Sequence, residues 1–191
     1  MTRAVLSSAF GLCLVAATLI TAPVAAQEAG TASGQGTIDR LTWPKDAKEP
    51  TVEKVAFAPR YSYAYREGTG SAAMTWLILT EQPPPLKAWA TAKDRAEARR
   101  LWSEKEKASF IAVQLNAKGG VELFFLCPGN GNVNTEMVST INGLDSVVVA
   151  IAGRDGGRLK GTLSCGEGTC GDPPVYCTKK GDYVFDAPLL P

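Results

Sequence analysis

The sequence contains no histidine at all. This absence excludes the Ser-His-Asp and Cys-His nucleophile systems, in which an imidazole takes the proton of the attacking group. It also excludes zinc and copper sites with histidine ligands, and imidazole general-base catalysis near neutral pH. The enzyme mechanisms that remain would use paired carboxylates, a serine–lysine pair or an oxygen-ligated metal.

The chain also lacks an excess of charge of either sign. It carries 20 Lys and Arg against 19 Asp and Glu, and removal of the N-terminal segment described below takes one basic residue, Arg3, and no acid. The mature chain would then have 19 of each and no formal net charge. DNA and anionic membrane surfaces attract proteins with a basic excess on one face. We therefore expect no nucleic-acid partner and no binding driven mainly by net charge.

One long apolar run is present, at the N-terminus. After one basic residue, residues 4–20 form an almost unbroken apolar stretch, and residues 24–26 then place small side chains where a signal peptidase cuts. This order predicts a secretory signal peptide over residues 1–26 and a mature chain that begins near Gln27. An uncleaved membrane anchor is the alternative, but a spanning helix needs about 20 consecutive apolar residues. We expect an exported protein, periplasmic or extracellular, with no stable membrane anchor after cleavage.

The mature chain divides into two parts by composition. Residues 27–37 are rich in glycine, serine, threonine and glutamine and have no apolar period, which is typical of a flexible linker. Residues 38–191 are enough for one domain with its own core. We expect a single disulfide-stapled β-rich domain there.

Four cysteines remain after removal of the signal. An even number in an exported protein predicts disulfides, because that compartment is oxidising. A zinc site would usually show two closely spaced cysteine pairs or histidine ligands, so we expect no metal. Four cysteines allow three pairings. We favour one bridge between two predicted strand ends and one that closes a Gly/Pro-rich loop, namely Cys127–Cys165 and Cys170–Cys177.

Short apolar runs and turn signals alternate about every 10–12 residues in the C-terminal two-thirds of the chain, a rhythm typical of antiparallel β proteins. Asn142-Gly143 and Asp155-Gly156 separate β-branched runs, and such dipeptides are strong hairpin signals. The run at 73–80 is too apolar to alternate, which predicts a central strand covered on both faces. The predicted strands are 51–58, 60–67, 73–80, 109–116, 121–127, 133–140, 145–153, 158–165 and 182–187, where Pro188 is expected to stop the last one.

One helix is predicted, over 92–108. It follows Thr91, which forms a variant capping box with the acid three residues later, and it contains good helix formers throughout. Ala98, Leu101 and Trp102 form a narrow apolar stripe, so one side is predicted to dock. The basic residues of the segment are offset by acidic ones, which favours a solvated, salt-bridged surface over a nucleic-acid or lipid contact.

These elements predict a sheet-dominated α+β fold. Both an antiparallel β-sandwich and an open barrel of about eight or nine strands, with one packed helix, fit the pattern.

A row of tyrosines is the most suggestive feature for binding. Tyr61, Tyr63 and Tyr65 alternate with small residues, so their rings project from one face of a strand. An exposed row would form a flat platform for stacking sugars or for an extended protein interface. A covered row would pack under the helix, against Trp102. We retain the three tyrosines as candidate binding residues, with an unknown protein or glycan as partner.

Catalytic residues and cofactors are not indicated. The acidic residues of the β-rich half mostly adjoin glycine or proline, where aspartate commonly stabilises turns. The segment 128–132 contains glycines but lacks the Lys-Ser/Thr pair and the following helix of a phosphate loop. We therefore expect no cofactor and lean against an enzyme.

The C-terminal segment 183–189, YVFDAPL, follows a hairpin-rich sheet. It resembles the final strand of a group of uncharacterised exported bacterial β-rich proteins that end in a Phe-Asp-Ala-Pro strand, and the resemblance implies no particular activity. The sequence favours an exported, non-catalytic binding or inhibitor-like module. Two alternatives remain: a glycan hydrolase that uses two carboxylates, and an envelope structural or assembly component that pairs through a sheet edge.

Overall fold

The computed structural model describes residues 28–42, 44–49, 51–129, 136–139, 147–166 and 178–190. This part of the chain contains ten strands, two α-helices and one 3-10 turn at Gly70–Ala72. The strands are β1 Gly30–Thr42, β2 Thr51–Phe57, β3 Tyr61–Glu67, β4 Met74–Thr80, β5 Ser109–Leu115, β6 Val121–Pro128, β7 Glu136–Ser139, β8 Val147–Asp155, β9 Arg158–Cys165 and β10 Thr178–Leu190. The helices are α1 Leu86–Ala90 and α2 Arg95–Glu106.

The ten strands form one curled sheet. Their order is β7-β6-β5-β4-β3-β1-β10-β9-β8, and β2 pairs with β1 beside this path. Every pair is antiparallel except β3–β10, where Leu189 and Leu190 run parallel to β3. The curl brings β6 towards β1 and β8 across the concave face, which gives a half-barrel. The predicted sheet-dominated α+β fold is confirmed, and the half-barrel corresponds to the open-barrel alternative.

Alternation along the strands produces one apolar cluster on each face of the sheet. In β4, Leu77 and Leu79 point into the half-barrel, whereas Trp76 and Ile78 point towards the helices. All four are buried, so the prediction of a strand covered on both faces is confirmed. The inner cluster also contains Ile38, Phe57, Ala64, Ile111, Val113, Leu115, Phe124, Leu126, Leu159, Leu163, Cys165, Tyr183, Phe185 and Ala187.

The flexible linker predicted for residues 27–37 is wrong from Gly30 onward. These residues belong to β1, which pairs with β10 from Thr31 to Ile38. A side chain at Gly30 could not fit, since its Cβ would lie 1.9 Å from the backbone oxygen of Asp186. Glycine has a low strand propensity, and the pairing of β1 is set by partners far along the chain, so local composition gave no sign of the strand. The last strand also runs past Pro188, to Leu190.

Helix α2 begins three residues later than predicted. The side chain of Asp94 accepts the backbone N–H of Glu97 at 2.9 Å, which makes Asp94 the N-cap. Thr91 instead ends α1, and its hydroxyl donates to the carbonyl oxygen of Lys87 at 3.3 Å. Lys107, with a left-handed φ of 51°, ends α2.

The buried face of α2 differs from the predicted stripe. Ala98 and Trp102 pack on the outer cluster, as expected. Leu101, however, is 51% exposed, whereas Arg99 and Ser103 are buried. The charged residue Arg99 is therefore buried against the sheet, where the apolar Leu101 was predicted to dock.

The predicted Cys127–Cys165 disulfide is wrong. Cys165 lies in the inner cluster and Cys127 in the outer one, so their side chains are on opposite faces of the sheet. Cys127 is a free thiol, and its sulfur lies 3.1 Å from the Oγ of Ser103. Both residues lie near strand ends, as predicted, but their side chains point to opposite faces of the sheet. The sequence pattern did not show this difference. Cys170 and Cys177 lie outside the described residues, and their pairing stays a prediction.

Two glycines of the β8–β9 hairpin give a matched test of how its two strands pair. A Cβ at Gly161 would lie 2.2 Å from the backbone oxygen of Ala150, whereas a Cβ at Gly153 would meet nothing within 4 Å. We expect Gly161→Ala to lower the free energy of unfolding by about 1–3 kcal/mol through overpacking. Gly153→Ala should leave it unchanged or raise it by up to about 1 kcal/mol. Urea unfolding followed by circular dichroism measures both, and equal midpoints would contradict the hairpin register.

Candidate functional site

Helices α1 and α2 cover the outer face of β3, β4 and β5 with an aromatic layer. A run of three prolines before α1 turns the chain out of β4, because proline cannot continue the strand ladder. Trp89 of α1 then packs on Tyr63, with ring centroids 4.7 Å apart, and meets Trp102 of α2 edge-on at 5.2 Å. Tyr65 stacks near Trp76, with ring centroids 6.3 Å apart. Ring contacts thus join the helices to the sheet.

The tyrosine row exists, but the helices cover it. Tyr63 and Tyr65 are each 1% exposed, and their ring centroids lie 6.5 Å apart. Tyr61 is partly exposed at the start of β3. Tyr63 and Tyr65 therefore form no open platform. They pack under the helices, which was the alternative expectation. The ring that covers Tyr63 is Trp89, whereas the sequence argument named only Trp102.

Arg99 is the unusual member of this layer. It is only 6% exposed. One guanidinium nitrogen donates to the hydroxyl of Tyr65 at 3.0 Å, and the guanidinium carbon lies 5.2 Å from the Trp76 ring centroid and 5.5 Å from that of Phe110. Within the described part of the chain, no carboxylate lies within 4 Å of it. The guanidinium is therefore buried between two rings, with no counter-ion among the described residues.

An open cavity of about 270 Å³ adjoins this guanidinium. We call it the Arg99 cleft. Its walls combine two aromatic rings with charged residues from the first two turns of α2, and they include Trp76, Phe110, Asp94, Glu97, Arg99 and Arg100.

The other charged groups of the Arg99 cleft are engaged with one another. Glu97 and Arg100 form an ion pair at 2.7 Å, and Glu104 contacts the same guanidinium at 2.5 Å. The hydrogen bonds from Arg100 lower the pKa of Glu97, which keeps this carboxylate ionised. Asp94 is occupied as the N-cap of α2. Among the described wall residues, Arg99 is the cation whose charge has no such partner.

A buried charge without a partner is costly, and buried charges in proteins are normally paired with another ion. A guanidinium has five N–H donors, and Arg99 uses one of them in the described structure. The two rings offer some compensation, since a desolvated cation–π contact is worth about 2 kcal/mol. An anion in the cleft would supply the missing charge and acceptors together.

Burial of the tyrosines makes the aromatic layer sensitive to high pH. Loss of solvation raises the pKa of Tyr63 and Tyr65, and the positive charge of Arg99 opposes this only in part. Burial also raises the pKa of Tyr183 in the inner cluster. All three stay neutral in the folded state at a pH where an unfolded tyrosine, with a pKa of about 10, is ionised.

Their contribution to stability is thus complete below about pH 10 and is lost as the pH rises above it. We expect cooperative alkaline unfolding in which three of the five tyrosines ionise only with the loss of structure. Tyrosinate absorbance and circular dichroism, recorded during one titration, check this. Full tyrosinate absorbance before the circular dichroism changes would contradict it.

The burial of Arg99 was not predicted, although the sequence contains a signal for it. Arg95, Arg99 and Ser103 recur at intervals of four, so they share one face of α2 next to Ala98 and Trp102. The balance of basic and acidic residues over the whole helix had instead led to the prediction that both arginines are solvated. Arg99 is buried because α2 packs against the sheet. The sequence of the helix alone does not determine where the helix docks.

The remaining described carboxylates do not form a metal site. Among residues covered by the structure, no group of three His, Cys, Asp or Glu could hold a metal ion. Asp186 forms ion pairs with Arg158 at 2.5 Å and Lys160 at 3.1 Å, and these lower its pKa. No helix in the described ranges is both long and apolar enough to span a membrane.

Comparisons with protein-family models, with curated proteins and with solved structures gave no match. The resemblance of the C-terminal strand therefore stays a prediction.

Proposed function

We propose that the mature chain is an exported, non-catalytic binding module whose Arg99 cleft takes a small planar organic carboxylate. The observation that carries this proposal is the position of Arg99, which is 6% exposed, lines an open cavity, and has no carboxylate partner in the described chain. A folded protein tolerates such a charge more readily when a ligand completes it.

The chemistry of the cleft favours a carboxylate on a flat apolar body. A guanidinium presents parallel N–H donors that match the two oxygens of a carboxylate. The cleft wall beside it includes residues Trp76 and Phe110. The combination of apolar walls with one placed charge is common in small-molecule sites.

The size of the cleft favours a small ligand over a protein surface. Its volume of about 270 Å³ is close to the lower end of ligand pockets, roughly 300–1,000 Å³. At about 30 Å³ for each water-sized group, it holds about nine non-hydrogen atoms. A stable protein interface would instead bury about 800 Å² of each partner. Benzoate has the size and charge that these limits require.

The described carboxylates give the hydrolase alternative little support. A glycosidase needs a general acid with a raised pKa facing a second carboxylate across a cleft. Glu97 and Asp186 both have a lowered pKa, because guanidinium groups hold their ionised form. Neither would keep a proton to donate near neutral pH. No described contact favours the envelope-assembly alternative.

The test of this function compares benzoate with benzamide, a neutral molecule of nearly the same shape, by isothermal titration calorimetry. We expect saturable benzoate binding, with benzamide weaker by about tenfold or more because it lacks the charge that pairs with Arg99. A panel of planar carboxylates none of which binds, or equal binding of benzoate and benzamide, would overturn the proposal. Export is tested separately by the intact mass of secreted protein, in which retention of residues 1–26 would contradict cleavage.

A further inference from the structure

A second pocket lies at one open end of the half-barrel, on the inner face. The end of β10 lies between β9 and β3 there. Pro188 pairs with Arg158 of β9, and Leu189 pairs with Ala64 of β3. The backbone N–H of Leu189 also donates to the carbonyl oxygen of Gly157 at 2.7 Å, which fixes the β8–β9 turn beside β3.

The resulting pocket has a volume of about 180 Å³, and we call it the mouth pocket. Its floor is apolar and its rim is cationic, and it is lined by Arg66, Thr75, Arg154, Arg158, Leu159 and Leu189.

The positive charge of the mouth pocket is only partly neutralised. Arg158 donates from Nε to a carboxylate oxygen of Asp186 at 2.5 Å and from a terminal nitrogen to the Asp186 backbone oxygen at 2.8 Å. The same carboxylate also pairs with Lys160. Arg66 and Arg154 come from β3 and β8, and in the described chain neither has a carboxylate within 4 Å. Two guanidinium groups from opposite sides of the pocket are thus available for an anion.

We propose that the mouth pocket binds a phosphate group. Tetrahedral oxyanions accept several charge-assisted hydrogen bonds at once, and guanidinium groups from two strands supply such donors from two directions. The hydroxyl of Thr75, a residue only 8% exposed at the pocket wall, adds a neutral donor. The volume of about 180 Å³ equals about six water-sized groups, enough for a phosphate and its first waters but not for an acyl chain.

This site is separate from the Arg99 cleft. Thr75 and Trp76 are neighbours in β4, so their side chains point to opposite faces of the sheet. Trp76 lines the Arg99 cleft and Thr75 lines the mouth pocket. The phosphate proposal therefore does not depend on the proposed carboxylate ligand. A result that contradicts one of the two proposals leaves the other unaffected.

The test measures binding of inorganic phosphate at low ionic strength by calorimetry. We expect saturable binding by the natural chain and at least about tenfold weaker binding by the double variant Arg66→Gln/Arg154→Gln, because the variant removes the charged hydrogen-bond donors of both guanidinium groups. Both arginines are exposed, so this variant should fold normally. Arg60→Gln, which removes an exposed charge outside the pocket, is the matched control and should bind like the natural chain.

Vesicles distinguish the two sources of a phosphate group. Co-sedimentation with phosphatidylglycerol vesicles but not with phosphatidylcholine vesicles, lost in the double variant, would assign the group to a lipid headgroup. Free phosphate binding without such co-sedimentation would assign it to a soluble ligand. Both results support the site. Absence of saturable phosphate binding, or equal binding by the double variant and the natural chain, would overturn it.

Discussion

Replacement of Trp89 by alanine is expected to lower the free energy of unfolding by about 3–5 kcal/mol, the usual cost of removing a large buried ring. Trp89 is 2% exposed and contacts Tyr63 of the sheet and Trp102 of α2. It is therefore the ring that links both helices to the sheet. Since native domains are stable by only about 5–15 kcal/mol in total, the loss is a large fraction.

The effect should be larger than its area suggests, because α1 has five residues and cannot persist without tertiary contacts. Leu101→Ala is the matched control in the same helical layer. Leu101 is 51% exposed, so its replacement should change stability by no more than about 0.5 kcal/mol. Chemical unfolding followed by circular dichroism compares the two variants. A cost below about 1 kcal/mol for Trp89→Ala would contradict the described layer.

Replacement of Arg99 by methionine is expected to separate binding from stability. Methionine keeps an unbranched side chain that can fill the same space but carries no charge. Carboxylate binding should fall by about 30-fold or more, since loss of one buried partner of a charge pair costs about 2–5 kcal/mol. Without ligand, the variant should be as stable as the natural chain or more stable, because the burial of an uncompensated charge no longer opposes folding.

A purely structural role for Arg99 gives the opposite result. If its contacts with Tyr65, Trp76 and Phe110 served only to hold α2, their loss would cost about 2 kcal/mol or more. Lys105→Met removes the same charge from an exposed position of α2 and is the control for net charge. Unfolding curves with and without benzoate decide between the two roles. A loss of stability in ligand-free Arg99→Met together with unchanged benzoate binding would exclude the ligand-completing role.

The hairpin part of the fold could be predicted because its signals are local. The turn at Asp155-Gly156 is specified by its own two residues, so β8 and β9 were predicted to within two residues of their observed ends. Strand β1 could not be placed in this way. Its pairing with β2, β3 and β10 depends on partners far along the chain, and its own residues are those of a linker.

The site was less predictable than the fold, for a related reason. Alternation correctly placed Tyr63 and Tyr65 on one face, but whether that face is open depends on where α1 and α2 dock. The same docking decides that Arg99 is buried while Leu101 is exposed, which reverses the expectation from side-chain polarity. Local patterns determine which residues share a face. They do not determine which faces meet.

The guanidinium NMR signal of Arg99 during a benzoate titration tests the Arg99 cleft most directly. The signal is assigned by its absence in Arg99→Met. The proposed function predicts that the Arg99 Nε–H resonance shifts saturably with benzoate and does not shift with benzamide. An Arg99 resonance that stays in place while benzoate binds, or that moves equally with benzamide, would contradict carboxylate binding at this buried arginine.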